Sequence, residues 1–205
     1  MSRIYLASRS PRRRELLNRL GVEFADLLAR ELHGADADET PVDGETPRDY
    51  VVRVARDKAA LGWRQVTTHG LERLPVLAAD TSVVLEQAIL GKPAGEDDAK
   101  RMLRRLGGRA HEVISAVAIE YEGRVETARV VSTVEFRELD AAEIDRYVSC
   151  GEPLDKAGAY AIQGEAARFV RRFEGSYSAI MGLPLIETAG LLKRFGINSR
   201  WAPRD

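Results

Sequence analysis

Short apolar runs of strand length alternate with amphipathic segments of helical period along almost the whole chain, and this alternation restricts the fold more than any other feature. Ile4 to Ala7 reads as a buried strand and Ser8 to Ser10 as a loop. Pro11 to Leu20 then reads as a helix with Ser10 as N-cap, Leu16, Leu17 and Leu20 as its apolar stripe, and Gly21 as its stop. Thr46 and Pro47 start a second helix, with Val51, Val54, Ala55 and Lys58 at i, i+3, i+4 and i+7 and an end near Gly62. Pro75 to Leu85 reads as a buried strand interrupted at Asp80-Thr81-Ser82, Gly91-Lys92-Pro93 as a turn, and Glu96 to Leu106 as a helix stopped by Gly107-Gly108. His111 to Tyr121 and Val125 to Phe136 form a hairpin around Glu122-Gly123-Arg124, and Asp140 with Glu143 makes a capping box for a helix that ends before Gly151. A long loop to Glu165, a strand over Arg168 to Phe173, a helix ending near Gly196 and a loose tail over 197–205 complete the chain. Hairpin and crossover connections occur together, which predicts an α/β (α+β) fold with a mixed β-sheet flanked by helices.

The 205 residues suit one domain, or one domain with two lobes, since domains run to about 100–200 residues. Thirty-one Lys and Arg against 32 Asp and Glu leave a net charge of -1. Such a balance gives no general attraction to nucleic acid or membranes, so any anion site must be local. Cys150 is the single cysteine, which excludes an internal disulfide, and no Cys/His pair has zinc-like spacing. The N-terminal arginines follow a very short apolar run, the reverse of a secretory signal, and the apolar stretches at 74–79 and 113–119 fall far short of the roughly 18 residues that span a bilayer. The expectation is a soluble, cytoplasmic protein.

Ser8-Arg9-Ser10-Pro11-Arg12-Arg13 joins a strand to a helix N-terminus, where backbone amides and the helix dipole favour an anion. Arginine forks and two hydroxyls make phosphate or polyphosphate the natural ligand, the alternative being an exposed basic helix start. The segment is not a Walker loop, and no Gly-x-Gly-x-x-Gly occurs. Asp80 ends the apolar run Val76-Leu77-Ala78-Ala79, a costly place for an acid unless it binds a cation, acts as a base, or caps a backbone turn. Lys58 on an apolar stripe and Lys92 in a turn suggest a charged pocket, although either could be explained as a snorkelling or decorating surface lysine. Residues 31–49 carry seven acids, among which Asp38 and Glu39 are candidate oxygen ligands for magnesium if the segment is more than a solvated loop. His33, His69 and His111 lack metal-ligand spacing, Cys150 lacks an activating partner, and Trp63 and Trp201 read as packing or surface residues. In the loop from Gly151 to Gly164, polar groups alternate with small residues that permit close approach to a ligand.

Taken in order, Leu-Ala-Ser-Arg-Ser-Pro-Arg-Arg at 6–13, Asp-Glu at 38–39, Ala-Arg-Asp-Lys-Ala at 55–59, Ala-Asp-Thr at 79–81 and Leu-Gly-Lys-Pro at 90–93 resemble the Maf family of nucleotide pyrophosphatases. The resemblance continues through Asp-Lys-Ala-Gly-Ala-Tyr at 155–160, Ile-Gln-Gly at 162–164, Gly-Ser-Tyr at 175–177 and Gly-Leu-Pro at 182–184. It implies one Maf-like domain with two lobes around a central cleft, and hydrolysis of nucleoside triphosphates between the α and β phosphates with a divalent cation, magnesium or manganese. It further implies Asp80 as proton acceptor and, with Glu39, metal ligand, while Ser8, Ser10, Arg12, Arg13, Lys58 and Lys92 hold phosphates. Arg12, Thr81 and Gln163 match the positions of the branch acting on dTTP and UTP, where an amide offers a donor and an acceptor to a pyrimidine edge. The alternatives are the 7-methyl-GTP branch and a regulatory nucleotide binder that arrests septum formation. A homodimer is a further implication of the family. Departures are Ser115-Ala116, where Thr-Gly or Thr-Ala is frequent, and a longer segment at 27–37, which bears on where Asp38 and Glu39 lie.

Overall fold

A computed structural model describes residues 3–27 and 37–199. Glu31, His33, Asp36, most of the long segment at 27–37, Trp201 and the tail from 200 onward lie outside the described residues. Seven strands form one mixed sheet in the order β2-β1-β3-β5-β6-β7, with β4 paired to β3. They are β1 Arg3–Leu6, β2 Glu23–Asp26, β3 Val76–Leu85, β4 Ala88–Leu90, β5 Ala110–Tyr121, β6 Arg124–Phe136 and β7 Val170–Glu174. Among the described residues, six α-helices accompany them: α1 Pro11–Leu20, α2 Pro47–Thr68, α3 Glu96–Leu106, α4 Ala141–Ser149, α5 Tyr177–Ile180 and α6 Leu185–Arg194. The α/β class and mixed sheet expected from the alternation of elements are therefore observed. The described residues divide into two compact units, one drawn from 1–80, 115–129 and 182–205, the other from 81–114 and 130–181.

In the first unit, β1 runs parallel to both β2 and β3, with Tyr5 opposite Val76 and Leu6 opposite Leu77. Helix α1 has the bounds its pattern predicts and buries Leu16, Leu17 and Leu20; Gly21 stops it in the left-handed conformation at φ 65° and donates to Asn18 O. Ser10 departs from expectation, because its side chain makes no cap bond. Helix α2 starts as predicted, Thr46 accepting from the Asp49 amide, but continues through Gly62 to Thr68. A Cβ at position 62 would lie 2.7 Å from Val76 Cγ1, 3.1 Å from Leu27 Cδ2 and 3.2 Å from Ala7 Cβ. Gly62 thus marks a close helix–strand approach, and only the packing partners distinguish that from a helix stop. Ile197, which the sequence places in the tail, is fully buried.

Strand β3 is continuous across the supposed interruption at Asp80-Thr81-Ser82, because ladder bonds are made by the backbone and tolerate polar side chains that find partners. The short strands β2 and β4 carry no alternation long enough to announce them.

In the second unit, α3 has the predicted bounds and buries Ala99, Leu103 and Leu106. The capping box of Asp140 and Glu143 starts α4 as predicted. Strand β6 begins at Arg124, one residue before the expected start, after a two-residue turn in which Glu122 (φ 51°) and Gly123 (φ 83°) both have positive φ. The loop after Gly151 contains three 3-10 turns, Glu152–Asp155, Ala157–Ala159 and Glu165–Phe169. Its small residues approach the protein itself: a Cβ on Gly158, which has φ +67°, would lie within 2.9 Å of three Val83 atoms.

His111 is structural, as the sequence reading favours. It is 3% exposed, packs edge-on to Phe136 and Tyr160, and shares a 2.9 Å hydrogen bond with Tyr160 Oη. Burial lowers its pKa from 6.5 to about 4. Between these values the unfolded chain binds a proton that the folded protein does not, so this stabilisation is complete above about pH 6.5 and declines toward pH 4, by about 3 kcal/mol at most. Urea unfolding at pH 7, 6, 5 and 4.5 should show a steeper acid-side loss for the native protein than for His111→Phe; parallel slopes would exclude the imidazole as the cause.

Candidate active site

The β1–α1 connection places Ser8 and Arg13 in contact in the first unit. Ser8, 4% exposed, accepts through Oγ from the Ser10 amide at 3.2 Å and from Arg13 Nη1 at 3.3 Å. Arg13 also donates from Nε to Gly182 O at 2.9 Å, which fixes the plane of its guanidinium. Arg12 stands half-buried beside it, and the first turn of α1 contains no acid and no capping side chain. These features suit an anion. Arg14 is diverted to Asp26 of β2 at 2.6 Å. The signal that separates Arg13 from Arg14 is the angular step of about 100° per residue along α1, but which face meets which partner is a tertiary matter.

The second cluster has Lys58 at its centre. From the middle of α2 its ammonium reaches Glu39 Oε1 at 2.7 Å and Asp80 Oδ1 at 2.8 Å. The Asp80 side chain is 11% exposed and that of Glu39 57%, so solvent reaches the cluster mainly from the Glu39 side. The two clusters belong together electrostatically: burial lowers the pKa of Arg13, and the charges of Asp80 and Glu39 oppose that shift. Among the described residues, no group of three or more His, Cys, Asp or Glu side chains could hold a metal.

Glu39 is held by residues that the sequence reading missed. Tyr50 Oη donates to the Glu39 carbonyl at 2.8 Å, and Arg53, one turn further along α2, donates to both Glu45 carboxylate oxygens at 2.7 and 2.9 Å and to Thr40 O at 2.9 Å. Burial, reinforced by the charges of Asp80 and Glu39, raises the Tyr50 pKa to about 12, so the phenol stays a neutral donor. The only sequence signal was a Tyr and an Arg at i and i+3 on a helix next to an acidic loop. Asp38, the neighbouring candidate, instead accepts from the Thr40 amide at 2.8 Å, and hydrogen bonds from the Thr40 hydroxyl and then its amide lower its pKa.

Thr81, Lys92 and Gln163 lie in the other unit. Thr81 follows Asp80 directly on β3 and is half-buried. Lys92 is exposed in the turn before α3, where Gly91 O accepts from the Gly158 amide at 3.0 Å. Gln163 is exposed in a turn closed by Gly164 N–H to Ala161 O at 3.0 Å.

A family model described as Maf-like protein matches residues 3–195. The chain belongs to the Maf family. Its relatives include the dTTP/UTP pyrophosphatase of Nitrosomonas europaea, 49% identical over 197 residues that cover 95% of each chain. The dTTP/UTP pyrophosphatase of Dechloromonas aromatica is 51% identical over 95% of this chain and 98% of its own, and that of Cupriavidus pinatubonensis 52% identical over 93% and 96%. No described helix of this Maf protein is long and apolar enough to cross a membrane.

Replacing Lys58 with Met leaves the Asp80 and Glu39 carboxylates facing one another without the ammonium. Because Asp80 is shielded and Glu39 is not, the expected loss at pH 7 is about 1–3 kcal/mol, below that of a fully buried pair. The urea midpoint would fall accordingly; a midpoint unchanged from the native protein would mean the ion pair contributes nothing to folding.

Proposed function

We propose that this Maf protein is a nucleotide pyrophosphatase that hydrolyses dTTP and UTP to the monophosphate and pyrophosphate. The observation that carries this reading is its near full-length identity of about half to relatives named for that activity. The single unpaired cysteine supports a cytoplasmic setting.

Ser8, Ser10, Arg12 and Arg13 hold the phosphate chain at the N-terminus of α1, and Lys92 is a further phosphate-binding cation. The arginines, each with a planar fork, neutralise charge that builds on the pyrophosphate leaving group. Glu39 and Asp80 would hold the divalent metal. The fit rests on their carboxylate oxygens, which already converge within 2.8 Å of one cationic atom, Lys58 Nζ. Two carboxylates plus substrate phosphates are the donor set that magnesium or manganese takes. When bound, the metal polarises phosphoryl oxygens as a Lewis acid. Asp80 accepts the proton of the attacking water, and Lys58 holds that carboxylate in position. Gln163 offers its amide to the paired donor and acceptor of a uracil or thymine edge, with Arg12 and Thr81 completing the selection.

Purified protein with magnesium and, separately, dTTP, UTP, CTP, GTP and 7-methyl-GTP tests the reading. Monophosphate and pyrophosphate should appear from dTTP and UTP, and chelation of the metal should stop the reaction. Asp80→Asn should lower kcat by about 10²–10⁴-fold, the usual contribution of general acid–base catalysis, with native circular dichroism. Preferential turnover of 7-methyl-GTP would overturn the substrate, unchanged turnover by Asp80→Asn would overturn the base, and tight binding without any products would overturn the enzyme assignment.

A further inference from the structure

The turn that carries Gln163 is tied to a side chain outside the proposed site. The phenol of Tyr147, a fully buried residue of α4, donates to Glu152 Oε1 at 2.7 Å. Directly behind the turn, the Glu165 amide donates to Glu152 Oε2 at 3.0 Å. One carboxylate therefore links the four-residue turn, whose third residue is Gln163, to a buried side chain of α4.

Gly164 shows how closely the brace fits. A Cβ there would lie 2.0–2.5 Å from the three carboxyl atoms of Glu152. Its φ of -101° is open to any L residue, so backbone conformation does not call for glycine; the Glu152 carboxylate does. An exposed side chain such as Gln163 gains a defined direction only if its backbone is held, since an unanchored turn would let the amide sweep over several ångströms.

We propose that Glu152, acting through Tyr147 and the Glu165 amide, is a positioning residue that aims Gln163 and so sets the preference for uracil and thymine bases. The proposal rests on the reading above that Gln163 contacts the base. Glu152 itself touches no substrate. One of its oxygens accepts from Tyr147 and the other from the Glu165 amide, a role that needs two acceptors on one rigid group; an amide supplies only one.

The test compares kcat/KM for dTTP and UTP with that for CTP in five variants: Gln163→Ala, Glu152→Ala, Glu152→Gln, Gly164→Ala and Glu152→Ala/Gly164→Ala. Glu152→Ala should reduce the dTTP-to-CTP preference by about tenfold or more, chiefly through KM, in parallel with Gln163→Ala. Glu152→Gln should retain part of the preference. Gly164→Ala should lower it in the native background but add little once Glu152 is Ala, because the new methyl then meets no carboxylate. A preference lost in Gln163→Ala but intact in Glu152→Ala and Gly164→Ala would overturn the positioning role alone. A preference intact in Gln163→Ala would overturn the base-reading role, and the positioning role with it.

Discussion

The ammonium of Lys58, held between the carboxylates of Glu39 and Asp80, is the contact on which the proposed chemistry depends. Three distant parts of the sequence meet there: a strand that enters the core, a helix that lies against it and an otherwise exposed acidic segment. An acid such as Asp80 is expensive inside a strand of Val, Leu and Ala, and the cation offsets that cost only because α2 places Lys58 within hydrogen-bonding distance. Gly62, one turn beyond Lys58, permits this. Without a side chain there, the helix lies against Val76, Leu27 and Ala7 closely enough for the lysine to reach the carboxylate.

Around that contact, neighbouring residues act as supports. Tyr50 and Arg53 secure the backbone of Glu39 and Thr40, so an acid that is largely exposed still has a fixed position. Ser8 and the Gly182 carbonyl orient Arg13, and the resulting array of amides and guanidinium suits a polyphosphate without any glycine-rich phosphate loop. In the second unit Glu152 and Tyr147 do the same for the turn of Gln163. The recurring device is a side chain with two hydrogen-bonding atoms that joins another side chain to a backbone group, as Arg53 joins Glu45 to Thr40 O, Arg13 joins Ser8 to Gly182 O and Glu152 joins Tyr147 to the Glu165 amide.

Much of this was legible in one sequence where the physics is local. The bounds of α1 and α3, the capping box of α4 and the hairpin between β5 and β6 follow from periodicity, proline and glycine placement and capping chemistry, each decided within a few residues. Lys58, Asp80 and Arg13 were identifiable as anomalies: a lysine on an apolar stripe, an acid in a buried strand, and arginines at a helix start. The elements that escaped were short or depended on partners. Strands β2 and β4 are too brief for a period-two pattern, and the polar triplet at 80–82 looked like a break although the ladder continues through it.

By itself the sequence determined the alternation of elements, the α/β class, the identity of the charged residues that need an explanation and, through its ordered motifs, the family. Tertiary structure alone decided which of two adjacent acids faces Lys58, which of three arginines turns to Ser8 and Gly182, whether Gly62 stops a helix or lets it pack, and which residues brace the turn of Gln163. The physical reason is range. Propensity, capping and periodicity act over a few residues, whereas an ion pair or a close packing contact depends on segments dozens of positions apart meeting within a few ångströms, and no local pattern encodes that distance.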